Sequence, residues 1–173
     1  IAASGDYLTT MDLIRAKARF ALDNDCTMQI VEEGSSILLK NARHTLLAQT
    51  LRKEGKSVVP LDLVLTPQKH ILVISGPNAG GKSVCLKTVG LLQYMMQCGL
   101  LVSASENSEM GIFRSIFIDI GDEQSIDNDL STYSSHLLNM KNILRHADNR
   151  SLILIDEFGT GTEPIIGGAI AEA

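Results

Sequence analysis

The sequence predicts an α/β fold, a largely parallel sheet flanked by helices. Three observations carry that reading. Apolar strand-length runs alternate with loops and helix-length segments through the second half of the chain. Leu152-Ile153-Leu154-Ile155 is an unbroken apolar run of the kind that parallel sheets bury on both faces. A glycine-rich octapeptide, Gly76 to Ser83, stands between one such strand and a long apolar helix. The 173 residues suffice for one ordinary domain, and a composition of 45% hydrophobic and 20% charged residues excludes a chain disordered throughout.

The elements follow in order. Thr9-Thr10 is expected to cap a helix through Met11, Leu13, Ile14, Ala18 and Ala21, with Asp12, Arg15, Lys17 and Arg19 between the apolar positions. Thr27–Val31 and Ser36–Leu39 read as two strands around a turn at Glu33-Gly34. Arg43-His44 opens a polar loop whose most solvated part is Lys53–Lys56. Val58–Leu65 and Ile71–Ser75 read as strands, with Pro67 in the turn between them. A helix from Lys82 to Gln97 is apolar on most faces, and Gly99 is its natural C-cap. Ser115–Ile120 is a strand. Ser131 to His146 is a helix with Leu137, Leu138, Ile143 and Leu144 inward, and Ser151–Ile155 is the buried strand. A last helix is expected to start near Pro164.

Several classes are excluded. No run approaches the roughly 18 unbroken apolar residues of a membrane span, since Lys87, Gln93 and Gln97 interrupt the most apolar stretch. No basic segment leads into an apolar core at the start, so no signal peptide is expected; Ile1 in place of Met points to a chain cut from within a longer protein. Cys26, Cys85 and Cys98 are odd in number and lack C-x-x-C spacing. They read as small buried hydrophobes in a reducing cytoplasm, not as a disulfide framework or a zinc site. The net charge of −5, with no Lys/Arg cluster, does not supply a phosphate-gripping patch. Any nucleic-acid surface of the parent protein is expected on parts absent from this chain.

Gly76-Pro77-Asn78-Ala79-Gly80-Gly81-Lys82-Ser83 fits G-x-x-x-x-G-K-[ST]. With glycine near 7% of average sequence, chance produces this pattern in under about one per cent of chains this long, so composition does not explain it. The glycines let the backbone curl with its N–H groups inward on a phosphate. The helix starting at Lys82 turns its positive dipole end to the same anion. Lys82 can reach the β and γ phosphates, and the Ser83 hydroxyl can ligate Mg²⁺. The expected ATP-binding set is Gly76, Pro77, Asn78, Ala79, Gly80, Gly81, Lys82, Ser83 and Val84.

The apolar run Leu152–Ile155 ends in Asp156-Glu157. A buried strand ending in Asp sets a carboxylate at the sheet's C-terminal edge, the ligand edge of such folds. Asp156 is expected to hold Mg²⁺, mostly through water, and Glu157 to orient or deprotonate an attacking water. Asp156-Glu157-Phe158-Gly159 also fits the D-x-x-G of GTPases, but no N-K-x-D follows. A small-molecule kinase is the other alternative, and the adjacent Glu fits water attack better.

These motifs resemble those of the MutS family of DNA-repair ATPases. The loop looks like G-P-N-x-G-G-K-[ST], Asp156 to Thr162 resembles D-E-x-G-x-G-T, and Ser131-Thr132-Tyr133 matches S-T-[FY]. Asp119 to Ile126, Ser131 to His136 and Thr162-Glu163-Pro164 are similar to the second bacterial branch, which lacks a mismatch-reading domain and usually carries a C-terminal Smr nuclease domain. The resemblance implies an ABC-type P-loop ATPase fold, C-terminally incomplete, over 42–173, entered from a connector helix and hairpin over 1–41. It implies MgATP hydrolysis, a homodimer through the ATPase domain, and action on DNA or ribosomes through regions mostly absent here. It also implies that Ser131 of one subunit approaches the γ-phosphate bound by the other, and that Asn78 contacts the γ-phosphate or the water. Val58, Val59 and Pro60 fall where the family packs adenine, with core burial as the alternative. His136 stands where mismatch-repair members carry Glu and reads as a surface or packing residue; His146 complements a helix end. The rival reading is a nucleotide-binding fragment without independent turnover.

Overall fold

The computed structural model describes residues 2–77, 80–120 and 129–156. It is mixed α/β and divides into two compact units, Ile1–Val73 with Lys87–Ile112, and Ile74–Leu86 with Phe113–Ala173. The boundary expected at 41/42 falls inside a strand of the first unit.

The first unit contains α1 (Ala2–Asp23), β1 (Ile30–Glu32), β2 (Ile37–Ala42), α2 (Thr45–Lys53), β3 (Leu61–Leu65), most of α3 (Lys82–Gln97) and β4 (Glu109–Gly111). Its sheet runs β1-β4-β2-β3, with β1 and β4 parallel and the other pairs antiparallel. The hairpin expected of the first two strands does not form, because β4 lies between them: Glu109 is paired with both Ile30 and Leu38. Gly111 makes the insertion possible. A Cβ there would collide with the Gly34 carbonyl and come 2.9 Å from the backbone N and O of Ser36. The core gathers Ile37, Leu39, Val89, Leu92, Val102 and Met110, all buried. A one-residue bulge between Leu39 and Ala42 keeps β2's inward alternation in step. Asn41 takes the positive φ of 51° that the bulge needs, and its N–H donates to Asp62 Oδ1 at 2.6 Å.

The helices of this unit depart from expectation at their ends. Thr9 and Thr10 lie inside α1, where their hydroxyls donate back to the carbonyls of Gly5 and Asp6 at 3.0 and 2.8 Å, so they cap nothing. The polar loop after Arg43 is the helix α2. His44, extended at φ −68° and ψ 107°, caps it by accepting the Leu47 N–H on Nδ1 at 3.2 Å. α3 matches its expected span. It ends in a Schellman turn at Gly99 (φ 72°), with Leu100 N–H donating to the Met95 carbonyl at 3.0 Å and Gly99 N–H to the Met96 carbonyl at 2.9 Å. Lys17 of α1 donates to the Cys98 and Gly99 carbonyls at 3.4 and 3.1 Å, placing a cation at the negative end of α3. The strand expected over Val58–Leu65 shortens to Leu61–Leu65. The one expected over Ile71–Ser75 is not a strand; Ile71 and Val73 are 77% and 83% exposed. A strand exists only through a ladder partner, and this segment has none among the described residues.

The second unit contains β5 (Ser115–Asp119), α4 (Asp129–His146) and β6 (Ser151–Ile155). β5 and β6 pair in parallel, Ser115 with Ser151 through Asp119 with Ile155, and α4 is the crossover that a parallel pair requires. Burial in β6 alternates: Leu152 and Leu154 are buried, while Ile153 is exposed. Of the α4 residues expected inward, Ile143 is buried, but Leu137, Leu138 and Leu144 are exposed. The covered stripe is instead His136, Met140 and Ile143, at i, i+4 and i+7. The helix expected near Pro164 lies outside the described residues.

Two consequences are measurable. Gly111→Ala sets a methyl against backbone rather than flexible side chains, so it should destabilise by about 2 kcal/mol or more, read as a lowered denaturation midpoint. Burial holds His44 below the ordinary histidine range, helped by the nearby Lys87 charge. The unfolded chain therefore takes up a proton at higher pH than the folded one. Stability should be full above the unfolded pKa and fall as pH drops through the folded value. His44→Asn, an equally good cap that does not titrate, should flatten that part of the pH profile in urea melts.

Candidate nucleotide site

Two segments of the second unit carry the candidate residues, the loop ahead of α3 and the C-terminal edge of the β5/β6 pair. In the loop, Gly76 has φ 152° and Gly81 φ 85°, conformations that L side chains rarely adopt. A Cβ at either would meet nothing within 4 Å, so backbone conformation, not crowding, calls for glycine. Gly80 N–H turns back to the Pro77 carbonyl at 2.9 Å. The ladder of α3 opens with Cys85 N–H on the Gly81 carbonyl at 2.9 Å, which leaves the helix's N-terminal turn facing the loop. Lys82 reaches back across the loop and donates from Nζ to the Gly76 carbonyl at 2.7 Å. The motif thus closes on itself with an ammonium at its opening.

Gly76, Pro77, Gly80, Gly81, Lys82, Ser83 and Val84 are all described, with Lys82 and Ser83 partly exposed; Asn78 and Ala79 lie outside the described residues. Val58, Val59 and Pro60 belong to the first unit, with Val59 exposed; core burial is therefore not the role of Val59. Cys85, in the first turn of α3, is partly buried and burial pushes its thiol pKa up; burial does the same at Cys26. Cys98 corrects the expectation of three buried thiols: it lies just beyond Gln97, where α3 has ended, and is exposed.

At the sheet edge, two acids stand at the ends of neighbouring strands. Asp119 closes β5 at 4% exposure, and Asp156 follows β6 at 8%. Asp156 N–H donates to the Asp119 carbonyl at 2.9 Å, one step beyond the last strand pair. The Asp156 carboxylate meets no hydrogen-bond donor among the described residues. Each oxygen of the Asp119 carboxylate has a partner on α4, with His136 Nδ1 donating to Oδ2 and Asn139 Nδ2 to Oδ1, both at 2.9 Å. Ser131 lies in the first turns of α4, and Glu157 lies outside the described residues. Bonding distance thus joins Lys82 with Gly76, and Asp119 with His136, Asn139 and Asp156. His136 is a buried-acid partner rather than the surface or packing residue expected. The sequence did carry a signal: Ile116-Phe117-Ile118-Asp119 repeats the apolar-run-then-Asp pattern of β6, and His136 and Asn139 share a helix face at i, i+3.

The donors present suit a magnesium-bound phosphate chain. A hard cation takes carboxylate, hydroxyl and water oxygens, and Asp156 and Ser83 offer the first two. No group of three metal-ligating side chains occurs among the described residues. No helix among the described residues is long and apolar enough to cross a membrane.

Comparison with known proteins bears on this geometry. The family model for MutS domain V matches residues 72–173, which takes in the loop, α4 and the sheet edge. The chain belongs to the MutS family, and that membership supports a MutS-family ATPase role. Among its relatives, the Endonuclease MutS2 of Carboxydothermus hydrogenoformans is 48% identical over 97% of this chain. Those of Ruminiclostridium cellulolyticum and Acetivibrio thermocellus are 45% and 46% identical over 98% and 95% of it. The chain spans about a fifth of the length of each (21%, 21% and 20%), so it corresponds to a fragment of a MutS2-type protein.

The thiols give a test of the helix that carries the loop. At pH 8, Cys98 should react first with a maleimide or disulfide reagent, with Cys26 and Cys85 slower because burial raises their pKa and restricts access. Cys98→Ser should remove the fast phase, as counted by intact mass.

Proposed function

We propose that this chain is the ATP-binding and hydrolysing part of a MutS-like ATPase, in which water attack on the γ-phosphate of MgATP is coupled to conformational change on DNA or ribosomes. The observation that carries the reading is the loop from Gly76 to Ser83, curled by two positive-φ glycines at the head of a 16-residue helix, with Lys82 Nζ held across it on the Gly76 carbonyl. A carbonyl is a weak partner for an ammonium. A phosphate oxygen carries full charge and is the stronger acceptor for the same ammonium, which supports an anion-binding role for the loop.

The assigned roles follow from chemistry. Gly76 and Gly81 would offer backbone N–H groups, and Lys82, Ser83 and Val84 add the N-terminal end of α3. Ser83 and Asp156 would hold Mg²⁺, which when bound neutralises charge on the phosphate oxygens. Glu157 takes the proton from the attacking water on a carboxylate oxygen. The water oxygen then bonds to the γ-phosphorus as the bond to the β–γ bridging oxygen breaks, leaving ADP and phosphate. Ser131, near the N-terminus of α4, would act on the nucleotide of the partner in a homodimer, where hydroxyl and helix dipole both favour an anion. Asn78 would contact the γ-phosphate or the water.

A second reading is favoured by the chain's length. At about a fifth of its relatives, the fragment by itself can bind nucleotide without turning it over, because a site completed in trans needs the dimer.

Turnover against protein concentration decides between them. Specific activity should rise with concentration and collapse in Ser131→Ala. Glu157→Gln should keep MgATP affinity while kcat falls by about 10²–10⁴-fold. Loss of ATP binding in Glu157→Gln would refute the role given to it. Flat, near-zero turnover by the fragment, with intact MgATP binding and with turnover present in the full-length protein, would leave the second reading.

A further inference from the structure

We propose that Asp119 is a positioning residue of the ATPase site: it clamps α4 to the end of β5 and so sets the helix turn that carries Ser131. The proposal rests on the reading of Ser131 given above, and deepens it.

A buried carboxylate is costly unless its oxygens are satisfied, and here both are satisfied by one helix face. His136 and Asn139 approach Oδ2 and Oδ1 separately, each at 2.9 Å, so the carboxylate grips α4 at two points a turn apart. Two directional bonds fix rotation about the helix axis as well as its distance, which apolar burial alone does not. Apolar burial is also scarce on this part of the helix: Leu137 and Leu138 are exposed, and among its described side chains the buried hydrophobe is Ile143, further along. The clamp lies within about two helical turns of Ser131. On its main-chain side, Asp119 accepts the Asp156 N–H. One residue is therefore bonded both to the helix carrying Ser131 and to the backbone of the expected magnesium ligand. A loosened clamp lets the first turns of α4 shift while leaving the loop, and so nucleotide affinity, untouched. A displacement of about 1 Å is enough to cost on the order of 100-fold in rate.

The test uses the full-length natural protein and three variants: Asp119→Ala, the double variant His136→Ala/Asn139→Ala, and Asp119→Asn. The double variant puts the best helix former at helical positions, so it guards against simple misfolding. The expected result is a fall in kcat of about 10–100-fold in the first two, with the Kd for MgATP within twofold of wild type. Hydrogen exchange of the amides over 129–135 should speed up while that of 140–146 stays put. Asp119→Asn can still accept from Asn139 and can donate to the other imidazole tautomer of His136, so it should recover most of the rate. Unchanged kcat, unchanged exchange over 129–135, loss of MgATP binding together with kcat, or an Asn variant as poor as Ala would each overturn the proposal. If the wild-type protein hydrolyses no ATP, it is the ATPase reading that fails, and the exchange measurement still judges the clamp.

Discussion

The second unit depends on one ladder, the parallel pairing of β5 with β6. Parallel strands in register bring their C-terminal ends out at the same edge, and here each strand runs into an aspartate. The ladder's last bond, Asp156 N–H to the Asp119 carbonyl, holds two largely buried acids side by side. Two such acids need different partners to coexist in low dielectric. Asp119 has two donors from α4, whereas Asp156 meets none among the described residues. One acid is thus engaged by α4 through both oxygens, and among the described residues the other is not. The connection follows from the same ladder, because a parallel pair cannot be joined by a hairpin. The chain must cross over, and the crossover helix is the one that supplies the donors.

The first unit answers to a different constraint, the space around Gly111. β4 can lie between β1 and β2 only if the backbone from Gly34 to Ser36 comes closer to residue 111 than a side chain allows. The same residue's carbonyl accepts from Gln93 Nε2 at 2.8 Å, inside the most buried part of α3. α3 is thereby pinned along its length by polar as well as apolar contacts. Lys17 sits on the C-terminal carbonyls, a cation at the end where a helix dipole favours one.

Much of this was legible from residue pattern. The limits of α3 and β6 could be read directly, since a helix closed by Gly99 and an apolar run closed by Asp carry their boundaries in local chemistry. The glycine-rich loop was legible for the same reason: backbone conformations closed to other residues leave a trace in composition. The hairpin of β1 and β2 and the strand at 71–75 were misread because pairing is non-local. Nothing in Thr27–Leu39 says that Glu109 will come between, and an apolar run such as Ile71-Leu72-Val73 becomes a strand only where another backbone meets it. The inward face of α4 was misread because Leu137, Leu138 and Leu144 look like core, while the helix is docked on an acid through His136 and Asn139.

The chemistry on offer is written locally: a glycine-rich loop with its lysine and hydroxyl, and an acid at the end of an apolar strand. These are local properties, settled by which backbone angles and side-chain groups a short segment can present. Which groups from elsewhere in the chain meet that acid is settled by packing. That Asp119 is bonded by His136 and Asn139, and that its carbonyl receives the Asp156 N–H, depends on two strands and a helix meeting at one edge. The physical reason is that a hydrogen bond between residues far apart in the chain is specified by the packing that brings them together, and packing is a property of the whole chain rather than of either residue.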